Sequence, residues 1–183
     1  MGWQADKRWS DKFLPDVKRT LGEYLIGEAP YEEDRDHNTD LIVLRMDAVR
    51  VGCRIRRSEY LSKYADEFTI RTARPNNIKT ELAKIIEGWG NYMFYGISDA
   101  EETGLACWAL IDLSGFRLWY MSYMATNEGR QPGFTQTNRD NSSDFRAFKI
   151  KMLPEAAIVA RMPYVPLYRR AVSDTEHEQG RYA

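Results

Sequence analysis

One run of this chain leaves the backbone little choice. In "AVRVGCRIRR", residues 48–57, the residues Val49, Val51, Cys53 and Ile55 alternate with Arg50, Gly52, Arg54 and Arg56. A side-chain period of two belongs to the extended strand, so the run predicts a β-strand with one apolar face and one arginine face. Any fold that holds this strand must bury the first face and satisfy the second. Arg50, Arg54, Arg56 and Arg57 have no acid between them. Such a cluster repels itself unless an anion or a carboxylate partner answers it.

The elements around the strand follow from the same kind of pattern. "DLIVLRM" precedes it, and the intervening Asp47 and Ala48 predict a tight hairpin between the two runs. Upstream, Phe13, Val17, Leu21, Tyr24 and Leu25 recur at helical spacing from Ser10, with Pro15 near the first turn and Gly27 as the stop. Glu23 lies close to the buried edge of that helix. "EAPYEEDRDHN" is acidic and contains proline, which predicts a loop. "EFTIRT" predicts a third strand ended by Pro75, and on it Glu67, Thr69 and Arg71 share a face. "KTELAKIIEG" predicts a short helix that closes at Gly88 and buries Leu82, Ile85 and Ile86. "NYMFYGI" and "CWALIDL" read as strands, "SGFRLWYMSYM" as a helix and "NEGRQPGFTQTNRDNSS" as a long loop. "DFRAFKIKM" alternates as a further strand, with "AAIVARM" expected beside it. The expected architecture is α/β, a mixed central sheet flanked by helices in the order α-β-β-β-α-β-β. It forms one domain over residues 1–170, and residues 171–183 have no apolar face and are expected to be a disordered tail.

Composition narrows the function classes. The 183 residues are 43% hydrophobic with a net charge of −1, which excludes a uniformly basic protein but not a basic face. No apolar run approaches the roughly 20 residues that span a bilayer, and the first residues lack a secretory signal's apolar core, so a cytoplasmic protein without a membrane partner is expected. Cys53 and Cys107 sit in apolar runs with no zinc spacing, and buried reduced thiols are expected. His37 and His177 are the only histidines, and neither neighbours a nucleophile motif. The acidic run from Glu28 to Asp36 reads as a solvated loop. The aromatics Trp89, Tyr92, Phe94, Tyr95 and Trp108 fit a cross-strand core ladder, with stacking on single-stranded bases as the other reading. "GWGNYMFYG" lacks the glycine spacing of nucleotide loops.

With Asp40 opening "TDLIVL", followed by "CRIRR", "DEFTIR" and "TELAKIIEGWGNYMFYG", the order of elements over Ser10 to Asp112 resembles the PD-(D/E)XK, or restriction-endonuclease-like, nuclease superfamily. Within it the chain looks like a small phage or prophage family. The resemblance implies two carboxylates holding Mg²⁺, a hard cation that takes oxygen ligands and lowers the pKa of an attacking water. Asp40 matches the first carboxylate. The second half of the motif departs, since Gly52 or Arg54 falls where the superfamily has its second carboxylate. Arginine can clamp phosphate but cannot act as a base. Some members carry the glutamate or lysine on the following helix, which makes Glu81 the second metal-ligand candidate, with Lys84 on the same helical face, and Glu23 the third. Glu67 is the other rescue, although it stands at the beginning of its strand.

Two functions follow from this reading. One is a Mg²⁺-dependent nuclease-like protein with Asp40, Glu81, Lys84 and Arg54 at the site, binding nucleic acid, foremost DNA, through Arg50, Arg54, Arg56, Arg57 and Arg71. The other is a non-enzymatic descendant, in host cytoplasm, that binds nucleic acid or a host defence protein with the same arginines. A homodimer is compatible with either. Against both stand bland readings: an Asx turn for Asp40, a solvated strand face for the arginines, and an i, i+3 surface pair for Glu81 and Lys84.

Overall fold

The computed structural model describes residues 3–28, 41–43, 49–73, 79–138 and 143–164. Asp40, most of the acidic loop, the expected Asp47–Ala48 turn and the C-terminal segment lie outside them. The described residues form a mixed α+β fold with two sheets and a short ribbon. Strands β3 (Val51–Arg56), β5 (Tyr92–Ser98), β6 (Leu105–Asp112) and β9 (Ile158–Met162) make a mixed sheet in the order β3-β5-β6-β9. There β3 runs parallel to β5, and the other pairs are antiparallel. Strands β4 (Glu67–Ala73), β8 (Asp144–Lys149) and β7 (Phe134–Thr137) make an antiparallel sheet in the order β4-β8-β7. The ribbon pairs β1 (Ile26–Glu28) with β2 (Leu41–Val43).

Five α-helices are described: α1 (Trp3–Asp11), α2 (Leu14–Leu25), α3 (Leu61–Tyr64), α4 (Glu81–Ile86) and α5 (Leu113–Thr126). Pro15 sits in the first turn of α2, where its missing N–H leaves no bond unmade. Thr80 caps α4 by accepting from the Ala83 N–H, and Gly88, at φ +95°, follows its last turn. That is a left-handed conformation which glycine adopts without penalty. Asp112 caps α5, accepting from the N–H groups of Ser114 and Gly115. A side chain at Gly115 would meet the Ala156 carbonyl oxygen at 2.8 Å, so α5 lies against the chain entering β9 only because glycine is there. None of the described helices is long and apolar enough to cross a membrane.

The period of two sorts the side chains of the mixed sheet. Phe94 and Leu110 pack with Val17 of α2 on one face, joined by Val51, Ile55, Tyr92 and Trp108. Met93, Tyr95, Ala109 and Ile111 point the other way into the main core, where they meet Phe68 and Ile70 of β4, Phe148 of β8, Ile85 of α4, and Phe116 and Tyr120 of α5. Phe148 is the hub of this core. Its ring stacks on Phe68 at 5.0 Å and meets Phe116 edge-on at 5.2 Å, with Trp119 and Tyr120 a little farther out. Each aromatic ring buried this way stabilises by roughly 1.5–3 kcal/mol.

Four local expectations are corrected. Among the described residues the arginine strand does not pair with "DLIVLRM": Leu41–Val43 pairs with β1, and β3 pairs with β5. The parallel β3–β5 pair is reached through α3, β4 and α4, the long crossover that parallel strands require in place of a tight turn. The polar "GFTQT" inside the expected long loop is strand β7. It is an edge strand with one neighbour, β8, so it has no need of an apolar pattern. "AAIVARM" yields β9, which pairs with β6 rather than β8, because short 3₁₀ turns at Ile150–Met152 and Glu155–Ala157 carry the chain across. Cys53 is exposed on the edge strand, whereas Cys107 is buried and its thiol pKa is pushed up to about 11 by that burial. A helix the pattern does not reveal, α1, is mostly polar and anchored at one residue. The Trp9 indole N–H donates to Glu102 at 2.8 Å, and the Arg57 guanidinium lies 4.3 Å over the ring.

Candidate functional site

Strands β3 and β4 are edges of different sheets, and the segment from Ser58 to Tyr64 joins them. The arginine face of β3 is the face that carries Met93 and Tyr95 on the neighbouring strand, so it turns toward β4 and α4. A polar seam results.

At its centre one arginine is bonded through both terminal nitrogens. Arg54 Nη1 donates to the Thr69 carbonyl oxygen at 2.8 Å and to Thr69 Oγ1 at 3.3 Å, and Nη2 donates to Glu81 Oε2 at 2.7 Å. The same carboxylate oxygen accepts the Arg71 backbone N–H at 3.0 Å, next to a break in the β4–β8 register. Arg54 and Glu81 are each 28% exposed, so the pair is partly desolvated and its geometry is fixed by backbone on both sides. The position of Glu81 follows from the cap: Thr80 starts α4 and places the next residue against β4.

Two residues along the strand, Arg56 is held differently. Its guanidinium lies 3.7 Å over the Tyr60 ring and 5.5 Å from that of Tyr64, and Nη1 makes one long bond, 3.4 Å, to Tyr95 Oη. Tyr95 Oη is in turn 3.2 Å from Thr69 Oγ1. Among the described residues no carboxylate stands within ion-pair distance of Arg56. Arg57 points elsewhere, to Trp9 and to Glu102 at 3.2 Å. Arg50 is exposed, and its backbone N–H donates to Asn91 Oδ1.

The expected site residues therefore separate. Arg54, Glu81 and Arg71 meet at the seam, and Arg56 borders it. Lys84 is exposed on α4. Glu23 is exposed on α2, the helix whose Val17 packs on the opposite face of the mixed sheet. Asp40 lies outside the described residues, which contain no cluster of three or more His, Cys, Asp or Glu suited to a metal ion. The surroundings of Glu81 do not fit Mg²⁺: the carboxylate is already neutralised by a guanidinium, and a second cation would have to displace it.

Beside the seam lies a groove of about 720 Å³ between the 58–64 segment and the outer face of the three-stranded sheet, bordered by Arg56, Tyr60, Tyr64, Glu67, Thr69 and Phe145. Glu67 is 4% exposed. Its Oε1 accepts from Lys149 Nζ at 2.6 Å, and its Oε2 has no hydrogen-bond partner among the described residues. The shared face of Glu67, Thr69 and Arg71 is visible in the sequence as a period of two, but the burial of Glu67 is not, because its partner Lys149 comes from a strand far along the chain. Of the aromatics, Phe94 and Tyr95 are buried and Trp108 stacks on Phe94 at 5.5 Å, as a core ladder requires, while Trp89 stands 61% exposed.

No protein-family model, curated protein or solved structure matches this chain.

Proposed function

We propose that this chain binds nucleic acid without cutting it at Glu81, holding the phosphate backbone at the Arg56 end of β3. The observation that carries the reading is the guanidinium of Arg56, stacked on Tyr60, bordering a groove and without a carboxylate partner among the described residues. An arginine laid flat on a ring is already oriented and loses little further freedom when a phosphate meets its N–H edge. Lys63 lines the same groove, as do the acids Glu59 and Glu67, and Arg50 is exposed just before the strand. Arg54 acts differently, since with Glu81 it joins the two sheets. If the likeness to the restriction-endonuclease-like fold extends to hydrolysis, its metal ligands have to come from outside the Arg54–Glu81 pair, Asp40 first among them.

Fluorescence anisotropy with labelled single- and double-stranded DNA and RNA, titrated with salt, tests the reading. Binding should weaken steeply as salt rises, and Arg56→Ala should lose about tenfold in affinity and about one from the log–log salt slope. No binding to any of these at about 50 mM salt, a condition that favours phosphate contacts, overturns it. A parallel incubation of plasmid and single strands with Mg²⁺ should show no product that depends on Glu81.

A further inference from the structure

Of the aromatics expected in a core ladder, Trp89 stands outside it. Its ring is 61% exposed and makes no ring or cation contact among the described residues. A single exposed apolar side chain is ordinary, but this one is carried on a pinned turn. The Trp89 backbone N–H donates to the Lys84 carbonyl at 3.0 Å where α4 ends, and the residue lies between Gly88 and Gly90, at φ +95° and +78°, values that glycine adopts without penalty. On the far side the Asn91 N–H donates to the Arg50 carbonyl at 2.9 Å, and the Asn91 carbonyl accepts from the Leu113 N–H at 2.9 Å. We propose that Trp89 is a stacking platform for one base of a single-stranded nucleic acid, with Lys84 and Arg50 meeting the neighbouring phosphates. The inference rests on the nucleic-acid reading above and adds a second contact, one that requires an unpaired base.

The charges around the turn favour that ligand. Arg50 and Lys84 are exposed, are tied to the turn by the backbone bonds just given, and have no carboxylate partner among the described residues. Glu81, one turn before Lys84 on α4, is taken by Arg54. Arg117 adds a third cation, donating to the Ile85 carbonyl at 3.3 Å just before the turn. Two acids stand near, and the fold answers both: Glu87 pairs with Lys79 at 2.6 Å, and Asp112 caps α5 through the N–H groups of Ser114 and Gly115. Trp89 is the only exposed large apolar residue between Lys79 and Tyr92, so the turn offers one ring beside cations rather than an apolar patch. Every base has a face that stacks on such a ring, so the contact is blind to sequence, but a base inside a duplex is already stacked on its neighbours. Arg50 and Arg56 stand at opposite ends of β3, about 20 Å apart along the strand, so this contact is separate from the one at Arg56.

Strands with and without bases separate stacking from phosphate contact. The wild-type chain should bind an oligo-deoxythymidine about tenfold more tightly than an abasic strand of the same length. Trp89→Ala should lose about tenfold on the thymidine strand and leave the abasic strand, the salt slope and the melting temperature unchanged, because the ring is uncharged and exposed. Trp89→Phe should recover most of that loss, and Lys84→Ala should lower the salt slope by about one on both strands. Trp89→Ala binding the thymidine strand within about twofold of wild type overturns the base site while leaving phosphate binding in place. A Trp89→Ala chain that melts several degrees earlier, or that is a monomer where wild type is a dimer, assigns the ring to the fold or to a contact between copies, and overturns it too. Failure of the wild-type chain to bind either strand removes both readings.

Discussion

Strand β4 has two faces that are both largely buried and are held by different forces. Phe68 and Ile70 on one side enter a core of interlocking rings, where what matters is volume. Glu67, Thr69 and Arg71 on the other side face the seam and the groove, where what matters is whether each polar atom has a partner. The difference is sharpest within the seam itself. Arg54 is bonded on both nitrogens to β4 and α4, whereas Arg56, on the same strand face, touches rings and one hydroxyl. Charges of the same type on one strand face thus divide into one that joins sheets and one that has no carboxylate partner among the described residues.

The core side should be the more costly to disturb. Phe148→Ala removes the ring that Phe68, Phe116, Trp119 and Tyr120 all touch, and should cost about 3–5 kcal/mol in urea unfolding, enough to leave a chain of this size marginal. A loss under about 1 kcal/mol would mean that the core rearranges around the gap.

The seam should cost less, and in a coupled way. Arg54→Ala and Glu81→Gln should each destabilise by about 1–3 kcal/mol, since each leaves a partly buried partner unanswered, and the double variant should fall short of their sum. Strict additivity would show that the 2.7 Å contact joins nothing.

The smallest effect concerns α1. Hydrogen bonds from Lys12 and Trp9 hold the exposed Glu102 carboxyl below its ordinary range, with the Lys12 and Arg57 charges adding to them. A carboxyl whose pKa is lower folded than unfolded stabilises the fold above the unfolded value, and that contribution disappears as pH falls through the folded one. The melting-temperature difference between wild type and Glu102→Gln should therefore be small at neutral pH and vanish as pH drops below about 4, the ordinary glutamate range. A difference that persists or grows in acid would contradict it.

Much of this fold is legible in the letters. The period of two in β3, the apolar runs of β5 and β6, the Gly88 stop and the helical pattern of α2 and α5 are local, and local patterns survive tertiary packing. The pairing of strands is not local. Nothing in "AVRVGCRIRR" says that its neighbour is β5 rather than the run before it, because pairing is decided by which edge remains open once the apolar faces are buried. The candidate site divides in the same manner. The arginine face follows from alternation, and Glu81 enters only through the superfamily resemblance, but their meeting at 2.7 Å depends on two sheets approaching edge to edge. Glu67 is hidden for the opposite reason: an acid at the start of a strand reads as surface, and its partner Lys149 stands on β8, far along the chain.

The division of labour between the two arginines is the central claim, and one paired measurement decides it: affinity for a single strand and melting temperature, for Arg54→Ala and Arg56→Ala side by side. The prediction is a crossing. Arg56→Ala loses about tenfold in affinity, as expected for a phosphate contact, at unchanged melting temperature, and Arg54→Ala melts earlier while whatever remains folded binds as before. If instead Arg54→Ala loses affinity without loss of stability and Arg56→Ala changes neither, the two roles are reversed and the central claim is wrong.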